Sequence, residues 1–166
     1  TDVSKTYGQT ATLSAYTTSG LQNSETIGGV ALASSGAAAT AGVGSSPYAI
    51  SVSNATGGTF SAANYDITYT AGSLTVGKAA LTITASDVSK TYGQTATLSA
   101  YSSSGLQNSE TIGGVTLTSS GAAATAVVGS SPYAISVSNA TGGTFSASNY
   151  DITYAAGSLT VGRATL

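Results

Sequence analysis

The chain has 166 residues, a formal net charge of −2, only 6% charged side chains, and no His, Cys, Met or Trp. Without His and Cys it lacks the commonest general base, the commonest nitrogen metal ligand, any thiol nucleophile and any disulfide. Its four cations, Lys5, Lys78, Lys90 and Arg163, make no basic surface for nucleic acid or anionic lipid, and no apolar run approaches the roughly 20 residues that span a bilayer.

Ten Tyr, two Phe and many Val, Ile and Thr separate the chain from disordered sequences. Its polarity comes from hydroxyls and amides, as on the surface of a β-protein. In chain order, Leu13 alternates with small residues across Ala11–Ala15. Leu21–Ile27 has room for one short helical turn before Gly28-Gly29 stops it. Tyr48, Ile50 and Val52 share one face of a strand, opposite Ala49, Ser51 and Ser53. Asn54-Ala55-Thr56 and Asn139-Ala140-Thr141 match the glycosylation sequon and read as turns. Tyr65, Ile67 and Tyr69 alternate with Asp66, Thr68 and Thr70. Thr70–Ser73 then turns the chain and Leu74 with Val76 returns it, so 65–76 is expected to form a β-hairpin. Leu81 and Ile83 begin a strand running toward Tyr92.

The chain repeats itself. Residues 1–81 realign on 86–166 at a shift of 85, and 71 of the 81 aligned positions are identical. A period this long marks an array of whole domains rather than a solenoid of ~20–45-residue units. The expected organisation is a first β domain over 1–78, whose opening strand is cut off, a second over 79–162, and the start of a further repeat at 163–166. Arg163-Ala164-Thr165-Leu166 restarts Lys78-Ala79-Ala80-Leu81. No flexible Gly/Ser linker lies between Val76 and Leu81, which favours a semi-rigid junction. The fold class is all-β, as two tandem Ig-like β-sandwich domains in an elongated array, with β-grasp-like domains as the alternative.

Few groups bear chemistry. Glu25 and Asp66 are the only carboxylates internal to copy one, short of the paired carboxylates a glycosidase needs. Asp66 reads as the solvent side of a strand and Glu25 as a turn residue, so no catalysis is expected. No Asp-x-Asp-x-Asp cluster offers a calcium cage; no metal and no cofactor are expected. Tyr16 and Tyr101 fall on the opposite parity from Leu13 and Leu98. Facing outward, they are candidate stacking contacts for a sugar ring.

Three separated motifs carry a family resemblance. They are Asn64–Val76, Ser4-Lys5-Thr6-Tyr7-Gly8 and Gly20–Thr26. Together they resemble the YDG/MBG-type repeats of large bacterial surface proteins, including filamentous-haemagglutinin-like adhesins. The likeness covers the chain twice in the same motif order. It rests most heavily on Tyr65, Asp66, Tyr69 and Gly72, with Tyr150, Asp151, Tyr154 and Gly157 as counterparts. The resemblance implies secretion, a cell-surface or extracellular location and tandem β-domains in a stalk, and it supplies no catalytic residues. The expected role is a spacer projecting a distal binding tip, with neighbouring repeats as partners and neither nucleic acid nor membrane insertion. The alternatives are a repeated low-affinity module for host or matrix glycans, multiplied by avidity, and a self-assembling filament subunit.

Overall fold

The computed structural model describes residues 1–166. The chain divides into two compact units, Thr1–Lys78 and Ala79–Leu166. Both are all-β; the only helical pieces are three-residue 3-10 turns, and no helix is long and apolar enough to cross a membrane.

Unit 1 holds β1 (Val3–Thr6), β2 (Ile27–Ala33), β3 (Tyr48–Gly58) and β4 (Gly72–Gly77) in one sheet of order β1-β4-β3-β2. Strand β1 runs parallel to β4, with Val3 opposite Leu74 and Lys5 opposite Val76. The other pairs are antiparallel. The alternation of Tyr48, Ile50 and Val52 is realised in β3, where Ile50 is buried and its two partners are half-buried. The pairing of β3 with β2 slips between Gly29 and Ala31, because Thr56 and Ser53 lie three residues apart opposite a two-residue step. The extra residue is a β-bulge that contains Asn54 at φ 52°. Asn tolerates this left-handed backbone better than a β-branched residue. The sequon asparagines, Asn54 and Asn139, therefore sit inside long strands, not in turns.

Unit 2 repeats this sheet and adds a second. Strands β6 (Val88–Thr91), β11 (Gly157–Gly162), β9 (Tyr133–Gly143) and β8 (Ile112–Thr118) give the order β6-β11-β9-β8. The second sheet has the order β10-β5-β7, from β10 (Tyr150–Ala155), β5 (Ala79–Ala85) and β7 (Tyr101–Ser104). Strand β5 is its centre, parallel to β10 and antiparallel to β7. Its burial alternates strictly: Ala79, Leu81, Ile83 and Ala85 are buried, whereas Ala80 and Thr82 are exposed. Period-2 alternation puts these four on one face, and that face approaches β9 and β11. Burying Leu81 and Ile83 contributes about 2 kcal/mol each.

Three expectations are corrected. Residues 150–162, and their copies 65–77, form no hairpin. Strand β10 pairs with β5 and β11 pairs with β6 and β9, so the chain crosses from one sheet to the other at Ala156. The strand from Leu81 toward Tyr92 is two strands in different sheets, broken at Ser86-Asp87. The Asp87 carboxylate fixes that break by accepting from the Ser158 backbone N–H at 2.7 Å. Finally, Leu21–Ile27 contains no helical turn. Glu25 N–H donates to the Gln22 carbonyl at 2.9 Å, and Asn23 and Ser24 both have positive φ, 53° and 57°. That is the φ signature of a type I′ turn, which suits the entry to β2. The segment Ala11–Ala15 pairs in no sheet.

Candidate functional site

Two features stand out, one common to both units and one confined to unit 1. The common feature is a clasp built by Lys5-Thr6-Tyr7-Gly8-Gln9. The Tyr7 N–H donates to Gly77 O at 2.8 Å, extending the β1–β4 ladder by one bond. The chain then turns, with Gln9 N–H donating to Thr6 O at 3.0 Å and the Gln9 side-chain oxygen accepting from Thr6 N–H at 3.0 Å. Lys5 points inward from β1 and is 8% exposed. Its ammonium donates to the Gln9 carbonyl at 2.8 Å and to the Ala38 carbonyl. Burial pushes its pKa below the ordinary lysine value. Lys90 repeats the arrangement, with Gln94 and Ala123 accepting. A buried lysine was not expected from the sequence; its cue is the fixed Lys-x-x-x-Gln spacing, which lets one ammonium close the turn that follows its own strand.

The second feature is a cleft of about 390 Å³ in unit 1. One wall is Tyr16–Ser19 and the other is Tyr65–Thr70; Val30, Leu32, Ile50 and Val52 form an apolar floor. Its walls are the counterparts of β7 and β10, yet neither carries strand pairing here. The far wall is held by side chains. The Tyr65 hydroxyl donates to the Glu25 carboxylate and accepts from Gln22 N–H at 3.0 Å. Its ring meets Phe60 with centroids 6.1 Å apart. The Tyr69 hydroxyl accepts from Ala55 N–H at 3.0 Å. The same anchors recur in unit 2, with Tyr150 on Glu110 and Gln107, and Tyr154 on Ala140. The bond to Glu25 raises the Tyr65 pKa above the usual tyrosine value.

Tyr16 and Tyr101 are half-buried, and their hydroxyls donate to the carbonyls of Ile27 and Ile112 at 3.1 and 3.2 Å. Tyr16 also lines the cleft. Asp66 and Asp151 are exposed. Gly72 and Gly157 open β4 and β11. Glu25 and Asp66 do not come together as a pair: Glu25 is engaged by Tyr65, and Asp66 lines the cleft together with Asp2. No three carboxylates gather anywhere.

A family model described as the MBG domain, YGX type, matches residues 1–75 and again 81–160. Tyr7-Gly8-Gln9 and Tyr92-Gly93-Gln94, the turns of the two clasps, fit the Tyr-Gly-X of that description. No curated protein and no solved structure matches the chain.

Proposed function

Because the chain belongs to the MBG domain family, YGX type, in both of its units, we propose that it is a structural spacer of an extracellular adhesin or fibre, whose work is to carry tension and supply length. MBG repeats are found in adhesin-like surface proteins. The observation that supports the role most directly is a parallel pair that includes each unit's last strand: β1, the first strand of unit 1, with β4, and β6 with β11 in unit 2. In a parallel pair, the start of the earlier strand and the end of the later one lie at opposite ends of the ladder. Tension applied along the chain then loads the ladder's hydrogen bonds together, in shear, instead of unzipping them one by one. The clasp adds a bond to the same ladder at Tyr7 and Tyr92.

The junction suits the same role. Only Lys78 separates β4 from β5, so little slack is available there. The carboxylates serve the fold, since Glu25 and Asp2 both accept hydrogen bonds from within unit 1. Single-molecule stretching between the two termini tests the reading. Two separate force-resisting events are expected, each releasing about 250 Å of chain at roughly 3.4 Å per residue. Extension with no resolvable force event would rule the spacer reading out.

A further inference from the structure

The sequons Asn54-Ala55-Thr56 and Asn139-Ala140-Thr141 have no part in the spacer role. Each sits at the β-bulge of a long strand, β3 in unit 1 and β9 in unit 2. We propose that Asn54 and Asn139 are sites of N-glycosylation, with the first sugar of each glycan seated on a tyrosine ring, that of Tyr69 or Tyr154. Four observations carry the assignment, and all of them hold in both units.

The acceptor is presented to solvent. Asn54 and Thr56 are exposed and Ala55 between them is buried; Asn139, Ala140 and Thr141 repeat the pattern. The bulge, with φ 52° at both asparagines, takes them out of the regular pleat.

The motif is selective. Of six asparagines in the chain, the other four have Glu or Asp two residues on. Left-handed backbone explains asparagine at the bulge, but it does not call for the threonine. Asn23 and Asn108 also have positive φ, 53° and 51°, and no hydroxyl follows them at that spacing. Only the exposed bulge asparagines have the acceptor pattern.

The surroundings are open. Thr56 lies opposite Gly29, and Thr141 lies opposite Gly114. A Cβ added to either glycine would meet nothing within 4 Å. Gly57-Gly58 and Gly142-Gly143 follow the two sequons and are exposed. Neither the cross-strand position nor the next two residues sets a side chain against the glycan or the enzyme that attaches it.

An aromatic surface is fixed beside each site. The Tyr69 hydroxyl accepts from the N–H of the Asn54–Ala55 peptide at 3.0 Å, and Tyr154 does the same at the Asn139–Ala140 peptide. Each phenol is thus pinned at the acceptor residue, while its ring stays 41% or 39% exposed. The exposure persists in unit 2, where β5 lies beside β10. A pyranose presents an apolar C–H face that packs on such a ring.

The co-substrate is a sugar activated by an anomeric phosphate, either a nucleoside diphosphate sugar or a lipid-linked pyrophosphate oligosaccharide. The asparagine Nδ2 forms a bond to the anomeric carbon. The bond from that carbon to the phosphate oxygen breaks, and its electron pair leaves with the phosphate. One amide proton passes to a base of the transferase, and nothing is oxidised or reduced. The product is a bulky, hydrated group on the surface of every repeat.

The test is peptide mapping by mass spectrometry of the protein isolated from the cells that produce it, with fragmentation that leaves the sugar attached. Sugar is expected on Asn54 and Asn139, and the other four asparagines are expected to be bare. A single-sugar increment points to the nucleotide-activated donor, an oligosaccharide increment to the lipid-linked one. Thr56→Ala and Thr141→Ala, both at exposed positions, are expected to abolish the increment in their own unit, and Thr56→Ser is expected to keep it. In NMR spectra of the glycosylated chain, protons of the first sugar should shift upfield over the tyrosine ring, and Tyr154→Leu should remove that shift in unit 2. Bare Asn54 and Asn139 in the native protein would overturn the proposal. So would an increment that survives the alanine variants, sugar found only on Ser or Thr hydroxyls, or first-sugar protons with no shift.

Discussion

Residues 65–70 and 150–155 differ at one position, Thr70 against Ala155. The second segment is a strand and the first is not. Both are pinned by the same two tyrosine hydroxyls. What differs is the neighbour: β5 lies beside 150–155, and no strand lies beside 65–70. Residues 16–19 and 101–104 differ in the same way, with Thr17 and Thr18 against Ser102 and Ser103. Thr has the higher strand propensity, yet the Ser-bearing copy is the one in strand. Strand state here is conferred by a pairing partner. Side-chain anchors set the path of the segment beforehand.

The largest expected effect follows from removing what only unit 2 has. Ile83 is fully buried in β5. Ile83→Ala is expected to cost unit 2 about 3–4 kcal/mol and to leave unit 1 unchanged. Hydrogen exchange resolves the two units in one sample. The wild-type chain should show slower exchange at 150–155 than at 65–70, and the variant should close that gap. An equal loss of protection in both units would break the comparison.

Next come the groups the units share, which should behave alike. Lys5 and Lys90 each hold two carbonyls with a buried ammonium. Lys5→Ala and Lys90→Ala each strand two acceptors in an interior position, and each is expected to cost its own unit about 2–3 kcal/mol. Denaturant titration of the two single variants checks the equality. A much larger loss from one of them would mean that the clasp is not the same device in both units.

This pattern explains what could be read from the sequence. The duplication was legible from the self-alignment at a shift of 85, and the all-β class and the inward face of β3 from local periodicity. The sheet assignment of 65–76 was not. Tyr65, Ile67, Tyr69, Leu74 and Val76 alternate equally well in a hairpin and in two strands of different sheets. For 72–77 the choice is made by β1, and for the counterparts 150–162 by β5 and β6, each pairing residues 71 apart in the chain. The cleft was illegible for the same reason, since its walls come from segments about 50 residues apart. The Tyr65–Glu25 bond spans 40 residues, and neither residue type announces a partner. The burial of Lys5 was not legible either, because charge is usually exposed; the carbonyls of Gln9 and Ala38 make it tolerable.

A smaller effect isolates the passage of β5 itself. Gly20 and Gly105 both have positive φ, 84° and 105°, so an alanine at either meets backbone strain. Only Gly105 also faces the Ala80 carbonyl. Gly105→Ala is therefore expected to cost about 1–2 kcal/mol more than Gly20→Ala. Thermal unfolding of the two variants gives the difference directly. Equal costs would mean that β5 yields to a Cβ.

The smallest effect is a pH dependence confined to the wall of the cleft. The bond to Glu25 raises the Tyr65 pKa above its ordinary value near 10. A raised pKa means that the folded unit favours the neutral phenol. The stabilisation is complete below the unfolded tyrosine pKa and is lost as pH rises through the elevated folded value. Ionisation would set a phenolate beside the Glu25 carboxylate and break the bond that fixes the wall. Alkaline titration should therefore release protection at 65–70 through the pH range in which Tyr65 ionises. Tyr65→Phe should show that looser wall already at neutral pH. If the wall of Tyr65→Phe stays as protected as wild type, then Tyr69 and its bond to Ala55 suffice, and the preformed cleft rests on one anchor instead of two.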